Sequence, residues 1–194
     1  MAKRPAVFLD RDGTINVEVD YLSDPADLVL EEGAGAAIAA LNQGGFDVVV
    51  ITNQSGVARG MLDLETLDRV NARLAELLKA EGAHFDTLRF CPHHPTVGDE
   101  RFRKDCDCRK PLPGMMRSAA EELETDLAAS WVIGDSIRDL QAGAALGVPG
   151  ILVGTGKGSK QRERLAEIVD PAPRFAENLA EAVEAILRLD TPIL

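Results

Sequence analysis

A doubly wound α/β fold, a parallel sheet with helices on both faces, is what this 194-residue sequence predicts. Three observations predict it. Short apolar runs rich in Val, Ile and Leu recur along the chain, as strands buried on both faces require. Segments of helical period separate them, punctuated by Gly and Pro. Polar turns carrying Asp, Thr or Gly follow the runs, at the strand ends where open α/β sheets bind ligands.

The elements follow in order. Ala6 to Leu9 is the first strand; it runs into Asp10, Arg11, Asp12 and Gly13, and the Gly frees the backbone to turn. Residues 15–32 have no clear period and read as a long loop, which beside a strand end of this kind is usually functional. Ala34 to Asn42 is a helix closed by Gly44-Gly45. Phe46 to Ile51 is the second strand, ending in Thr52, Asn53, Gln54, Ser55 and Gly56. Asp63 caps an amphipathic helix to about Glu81, with Leu67, Val70, Leu74, Leu77 and Leu78 on one face. Phe85 to Phe90 is a third strand, and 91–112 an irregular Cys/His-rich excursion. Pro113 starts a helix to about Leu123. Trp131 to Ile133 is a fourth strand, ending in Gly134-Asp135; Ile137 to Leu146 is a helix closed by Gly147; Val148 to Val153 is a fifth strand. Helices are expected at roughly 159–169 and 175–188, and the tail Asp190 to Leu194 is expected to fray. The glycine run Gly154 to Gly158 lacks the spacing of a phosphate loop and reads as a mobile loop.

Bulk properties narrow the function. The length fits one domain over 1–194, with a sizeable core. The net charge of −11 argues against broad nucleic-acid or anionic-membrane binding but leaves room for a local basic pocket. No apolar run has membrane-spanning length, and a cytoplasmic protein is expected. All three Cys lie between Cys91 and Cys108, which suits a metal site better than a secreted disulfide scaffold. Cys91, His93, Cys106 and Cys108 make a closed tetrahedral set for a structural Zn²⁺ in a loop at about 91–110. His94 is the rival ligand; the C-x-H spacing mirrors C-x-C and favours His93.

Asp10-Arg11-Asp12-Gly13-Thr14 resembles the D-x-D-G-T signature of the haloacid-dehalogenase (HAD) superfamily of phosphatases. Thr52 ends the second strand as that superfamily's second motif does, Lys110 before Pro111 matches its third, and Gly134 to Asp139 its G-D-x-x-x-D fourth. The resemblance implies a HAD-like fold without a separate cap domain. It makes Asp10 the nucleophile, forming an aspartyl phosphate, and Asp12 the general acid/base. Thr52 and Lys110 would hold the transferred phosphate. Asp10, the main-chain carbonyl of Asp12 and Asp135 would bind catalytic Mg²⁺. Asp139 would stand behind these groups.

The loop Cys91-Pro92-His93-His94-Pro95, an insert, then Cys106 to Pro111, is similar to that of the D-glycero-D-manno-heptose 1,7-bisphosphate 7-phosphatases. These remove the C7 phosphate on the way to nucleotide-activated heptose for lipopolysaccharide core or surface glycan. By that resemblance Glu18, Val19, Asp20, Tyr21, Thr52, Asn53, Gln54, Ser55, Arg109, Lys110 and Ser136 contact the substrate, although a Lys often stands where this chain has Ser136. Histidinol-phosphate phosphatases share the motifs but have a shorter insert; here twelve residues separate His93 from Cys106. A zinc-stabilised nucleic-acid end-processing or binding module is a third reading, opposed by the charge and by the lack of base-stacking aromatics. The expected partner is a small phosphorylated sugar, with no nucleic acid or membrane, bound by a monomer.

Overall fold

A computed structural model describes residues 3–189. One six-stranded sheet runs through them, in the order β3-β2-β1-β4-β5-β6. The strands are β1 (Ala6–Leu9), β2 (Asp47–Asn53), β3 (Thr87–Cys91), β4 (Trp131–Gly134), β5 (Gly150–Val153) and β6 (Arg174–Ala176), and every pair is parallel. The helices are α1 (Ala34–Gln43), α2 (Leu64–Ala80), α3 (Gly114–Glu122), α4 (Ile137–Ala144) and α5 (Leu179–Leu189). Asp63 caps α2 by accepting from the Thr66 amide at 2.7 Å.

Alternation along the strands builds the two layers. Val7 and Leu9 face one side with Val48, Val50 and Ile133, where Ile38, Leu41, Leu74, Val183 and Ile186 of α1, α2 and α5 pack. Ala6 and Phe8 face the other with Val49, Ile51 and Val132, against Met115, Met116 and Ala119 of α3. Such two-sided burial is why the strands read as unbroken apolar runs.

The chain winds one way from β1 to β3 and the other from β4 to β6, so the order reverses between β1 and β4. Leu9 pairs with Val50 on one side and Ile133 on the other. A crevice outside the strand ends follows from this reversal, with Asp10 at its floor.

Two expectations at the C-terminal end need correction. The sheet has a sixth strand, β6, where the start of a helix is expected. It has three residues, follows Pro171-Ala172-Pro173 and pairs on one edge only, so no run of alternation announces it. Residues Gly158–Glu167 form a 3-10 helix instead of the expected α-helix; nine of the ten are polar or small, and only Leu165 supplies a large apolar anchor. The tail Asp190 to Leu194 lies outside the described residues.

Candidate active site

The turn after β1 is built around a buried arginine. Arg11 is 1% exposed. Its guanidinium meets Asp12 at 3.0 to 3.2 Å and donates to Asn71 Oδ1 of α2 at 2.9 Å. Its own carbonyl accepts the amides of Ile15 and Asn16, and Gly13 takes the required φ of +80°. Asp12 also accepts from Asn16 Nδ2 at 3.0 Å and Gln54 Nε2 at 2.8 Å. Gln54 Nε2 reaches Thr52 Oγ1 at 2.8 Å as well, so one amide ties the end of β2 to Asp12. Arg11 and Asn16 carry no role in the sequence reading. A charged residue directly between two site aspartates was the available signal for Arg11.

Lys110 reaches the same floor from the Cys/His loop. It is 3% exposed, and its ammonium donates to Asp10 Oδ1 at 2.8 Å, Asp139 Oδ1 at 2.6 Å and the Ile51 carbonyl at 2.7 Å. Three donors meet three acceptors. The Asn53 side chain pairs with both the amide and the carbonyl of Lys110, at 3.1 Å each, and a cis peptide joins Lys110 to Pro111. Asp139 is held in turn by the Ser136 amide at 3.0 Å, in the capping box that starts α4. Asp139 is thus the residue that positions Lys110.

The charges do not balance. Carboxylate oxygens of Asp10, Asp135 and Asp139 lie within 4.8 Å of one another. Three carboxylates against one ammonium leave two negative charges in a buried place. Burial, then Asp139, raises the Asp10 carboxyl well above its ordinary range, against the pull of Lys110. Burial pushes Asp135 up to about 7, opposed by the Lys157 amide. Burial works against the charge on Lys110, yet Asp10 and Asp139 outweigh it and keep the ammonium protonated. A divalent cation would close the deficit. Asp10 Oδ1 is taken by Lys110 and the Arg11 amide, and Asp135 Oδ2 by the Lys157 amide at 2.8 Å. Each carboxylate keeps its second oxygen, the hard donor set that Mg²⁺ takes. Replacing Lys110 by Met should cost about 3–5 kcal/mol in denaturant unfolding, because it strips the buried carboxylates of their cation.

A cleft of about 420 Å³ opens over this floor. Glu18, Val19, Asp20 and Tyr21 line it from the arm that follows β1, Thr52 to Ser55 from the end of β2, Arg109 and Lys110 from the Cys/His loop, and Asp135 and Ser136 from the end of β4. The arm is anchored by Val17 to Val29 and Glu31 to Ile15 backbone bonds, both 2.9 Å. Ser136 lines the cleft, but its hydroxyl caps α4. The glycine loop after β5, read from the sequence as a mobile loop, is packed into the site. Thr155 Oγ1 donates to the Gly13 carbonyl at 2.6 Å, and a Cβ on Gly156 would collide with the Asp135 carboxylate. Lys157, Gln161, Arg164 and Arg138 line the cleft too. Their signal was positional: β5 ends on the same edge as β1 and β4.

The Cys/His loop closes on a second cluster. The Cys91, Cys106 and Cys108 sulfurs and His93 Nδ1 are separated by 3.3 to 3.8 Å in the pairs Cys91–Cys106, Cys91–Cys108, Cys91–His93 and Cys108–His93. Zn²⁺ bonds of 2.0–2.3 Å imply tetrahedral edges of about 3.4–3.8 Å, so this donor set fits that ion. Burial raises the Cys91 and Cys108 thiols. His94 faces elsewhere: its Nδ1 accepts from the Thr96 and Val97 amides at 3.2 Å, and its Nε2 lies 3.2 Å from Arg59.

Among the described residues no helix is long and apolar enough to cross a membrane. A family model described as HAD-hydrolase-like matches residues 107–182. The chain is 40% identical to D-glycero-beta-D-manno-heptose-1,7-bisphosphate 7-phosphatase of Escherichia coli K12, over 99% of both chains. It is 44% identical to the enzyme of that name from Vibrio cholerae, over 87% of this chain and 91% of the relative. A crystal structure of D,D-heptose 1,7-bisphosphate phosphatase from B. bronchiseptica, complexed with magnesium and phosphate, superposes with a TM-score of 0.82 at 40% identity, covering 95% of this chain and 99% of that one. The corresponding Burkholderia thailandensis structure gives 0.70 at 35% identity, covering 97% and 100%.

Proposed function

The chain belongs to the D-glycero-β-D-manno-heptose-1,7-bisphosphate 7-phosphatases, HAD-superfamily phosphoric monoester hydrolases, and from that premise we propose how its cleft removes the C7 phosphate. One observation carries the reading. Asp10, bound to a buried Lys110 that Asp139 steadies, sits at the switch point of the sheet with Asp12 two residues on.

Asp10 is the nucleophile. Its carboxylate oxygen attacks phosphorus, and the bond from phosphorus to the C7 oxygen breaks. Asp12 gives its proton to that departing oxygen. Asp12 then takes a proton from water, whose oxygen attacks the aspartyl phosphate and releases inorganic phosphate with Asp10 restored. Lys110 holds Asp10 in place and balances charge on the phosphate oxygens; the Thr52 hydroxyl and nearby amides hold those oxygens. The arm from Glu18 to Tyr21, with Asn53, Gln54, Ser55, Arg109 and Ser136, surrounds the sugar. Mg²⁺ on Asp10, Asp135 and the Asp12 carbonyl would neutralise charge on the phosphate being transferred. The two-charge deficit at the floor supports that ion. Zn²⁺ on Cys91, His93, Cys106 and Cys108 would be structural, since four protein ligands leave it no open position. We read the enzyme as a cytoplasmic monomer acting on a small phosphorylated sugar, in nucleotide-heptose synthesis for lipopolysaccharide core or surface glycan.

Phosphate release tests this. Heptose 1,7-bisphosphate should be turned over in Mg²⁺ at least about tenfold better than histidinol phosphate by kcat/KM, a gap of 1.4 kcal/mol. Chelation with EDTA should abolish the activity and added Mg²⁺ restore it. Preference for histidinol phosphate would keep the mechanism and remove the substrate.

A further inference from the structure

Five cationic side chains line the cleft: Arg109, Lys110, Arg138, Lys157 and Arg164. They differ in what already holds them. Lys110 is consumed by Asp10, Asp139 and a carbonyl. Lys157 Nζ lies 3.0 Å from Glu18. Arg164 grips both oxygens of Glu167, at 2.7 and 3.0 Å. Arg109 donates one bond, 3.1 Å, to the neutral His93 carbonyl, so among the described residues its charge has no counterion. Arg138 is exposed, and its side chain has no hydrogen bond or ion pair among the described residues.

The two uncompensated guanidiniums share one place. Both also line an adjoining hollow, with Lys104, Asp105, Pro111 and Leu112, so they stand on the ridge between hollow and cleft; among the described residues Asp105 forms no ion pair with either. Glu18 and Asp20 also line the cleft, and Glu18 is the one that Lys157 neutralises. The backbone of Arg138 is fixed, because the Ser136–Asp139 capping box sets the first turn of α4. Ser136, two residues before it, offers no charge and uses its hydroxyl as the cap. A side chain with a free planar fork, rooted beside a second one, suits a phosphate dianion.

We propose that Arg138, acting with Arg109, seats the phosphate that is not cleaved and so sets the preference of the site for a bisphosphate over a monophosphate. This rests on the heptose bisphosphate reading above. The transferred phosphate lies on the Asp10–Lys110 floor, and the second one on the Arg109–Arg138 ridge. Selectivity then comes from a charge carried two residues beyond Ser136.

The test compares kcat/KM for heptose 1,7-bisphosphate with that for the same sugar phosphorylated at C7 alone, in wild type, Arg138→Gln and Arg138→Lys. The bisphosphate-to-monophosphate ratio should fall about 10- to 100-fold in Arg138→Gln, chiefly through KM, as expected on losing a charge-assisted bond to an anion. Arg138→Lys should keep part of the ratio. A ratio unchanged in Arg138→Gln overturns the assignment of Arg138 while leaving the substrate reading intact. Failure of the wild type to turn over the bisphosphate overturns both.

Discussion

Asp10→Asn should lower phosphate release by about four orders of magnitude or more and leave the protein folded, because a nucleophile has no substitute within reach. The amide cannot attack phosphorus and regenerate. Its shape still fills the same space at the end of β1. Lys110 would keep Asp139 at 2.6 Å and the Ile51 carbonyl at 2.7 Å, so the buried ammonium is not stranded. Burial raises the Asp10 carboxyl, so removing its charge relieves a cost as well as an attraction. Thermal melting of the variant should therefore stay close to wild type while turnover disappears. Substantial residual activity would remove Asp10 as nucleophile. A collapse of the melt would instead show that the Asp10–Lys110 pair holds the floor together.

Much of this floor was legible in the sequence because three of its four motifs follow an apolar run. A buried parallel strand is recognisable from composition alone, and its carboxyl end then locates Asp10, Thr52 and Asp135 on one edge. β6 was not legible, since three residues on a sheet edge give no period. Neither was the use of the loop from Gly154 to Gly158. Its glycines serve close approach to Asp135 and Gly13 rather than the phosphate loop that their spacing fails to match. Arg11 shows a different limit. An arginine at a turn reads as surface, yet here Asp12 and Asn71 satisfy the guanidinium and allow its burial. The partners of a buried charge come from distant segments, which no local pattern encodes. The cleft's selectivity is equally non-local. Arg109 and Arg138 stand out only after the other three cations have been matched with their carboxylates.

Cys106→Ser should abolish stoichiometric zinc, lower the melting temperature by about 5–10 °C and weaken turnover through a loosened Lys110. The segment from Pro92 to Lys110 has little core of its own: Phe102, Cys106 and Cys108 are only partly buried. Two hydrogen bonds to Asn53 and the lysine contacts fix its far end, and Cys91 fixes its start at the end of β3. Between those anchors, a metal bonded to Cys91, His93, Cys106 and Cys108 supplies the cross-link that packing does not. A serine hydroxyl replaces the thiolate poorly as a zinc ligand, so the variant should carry well under one zinc per chain. Treating wild type with a strong zinc chelator should reproduce the lowered melt, while the same treatment should leave Cys106→Ser unmoved. Mg²⁺ dependence should persist in whatever activity remains, because the Asp10 and Asp135 carboxylates lie outside the cysteine cluster. Unchanged zinc stoichiometry would show the ligand set to be wrong. Zinc loss without a lower melt would show that the loop is held by its docking contacts, of which the Arg59–His94 approach at 3.2 Å is the nearest candidate.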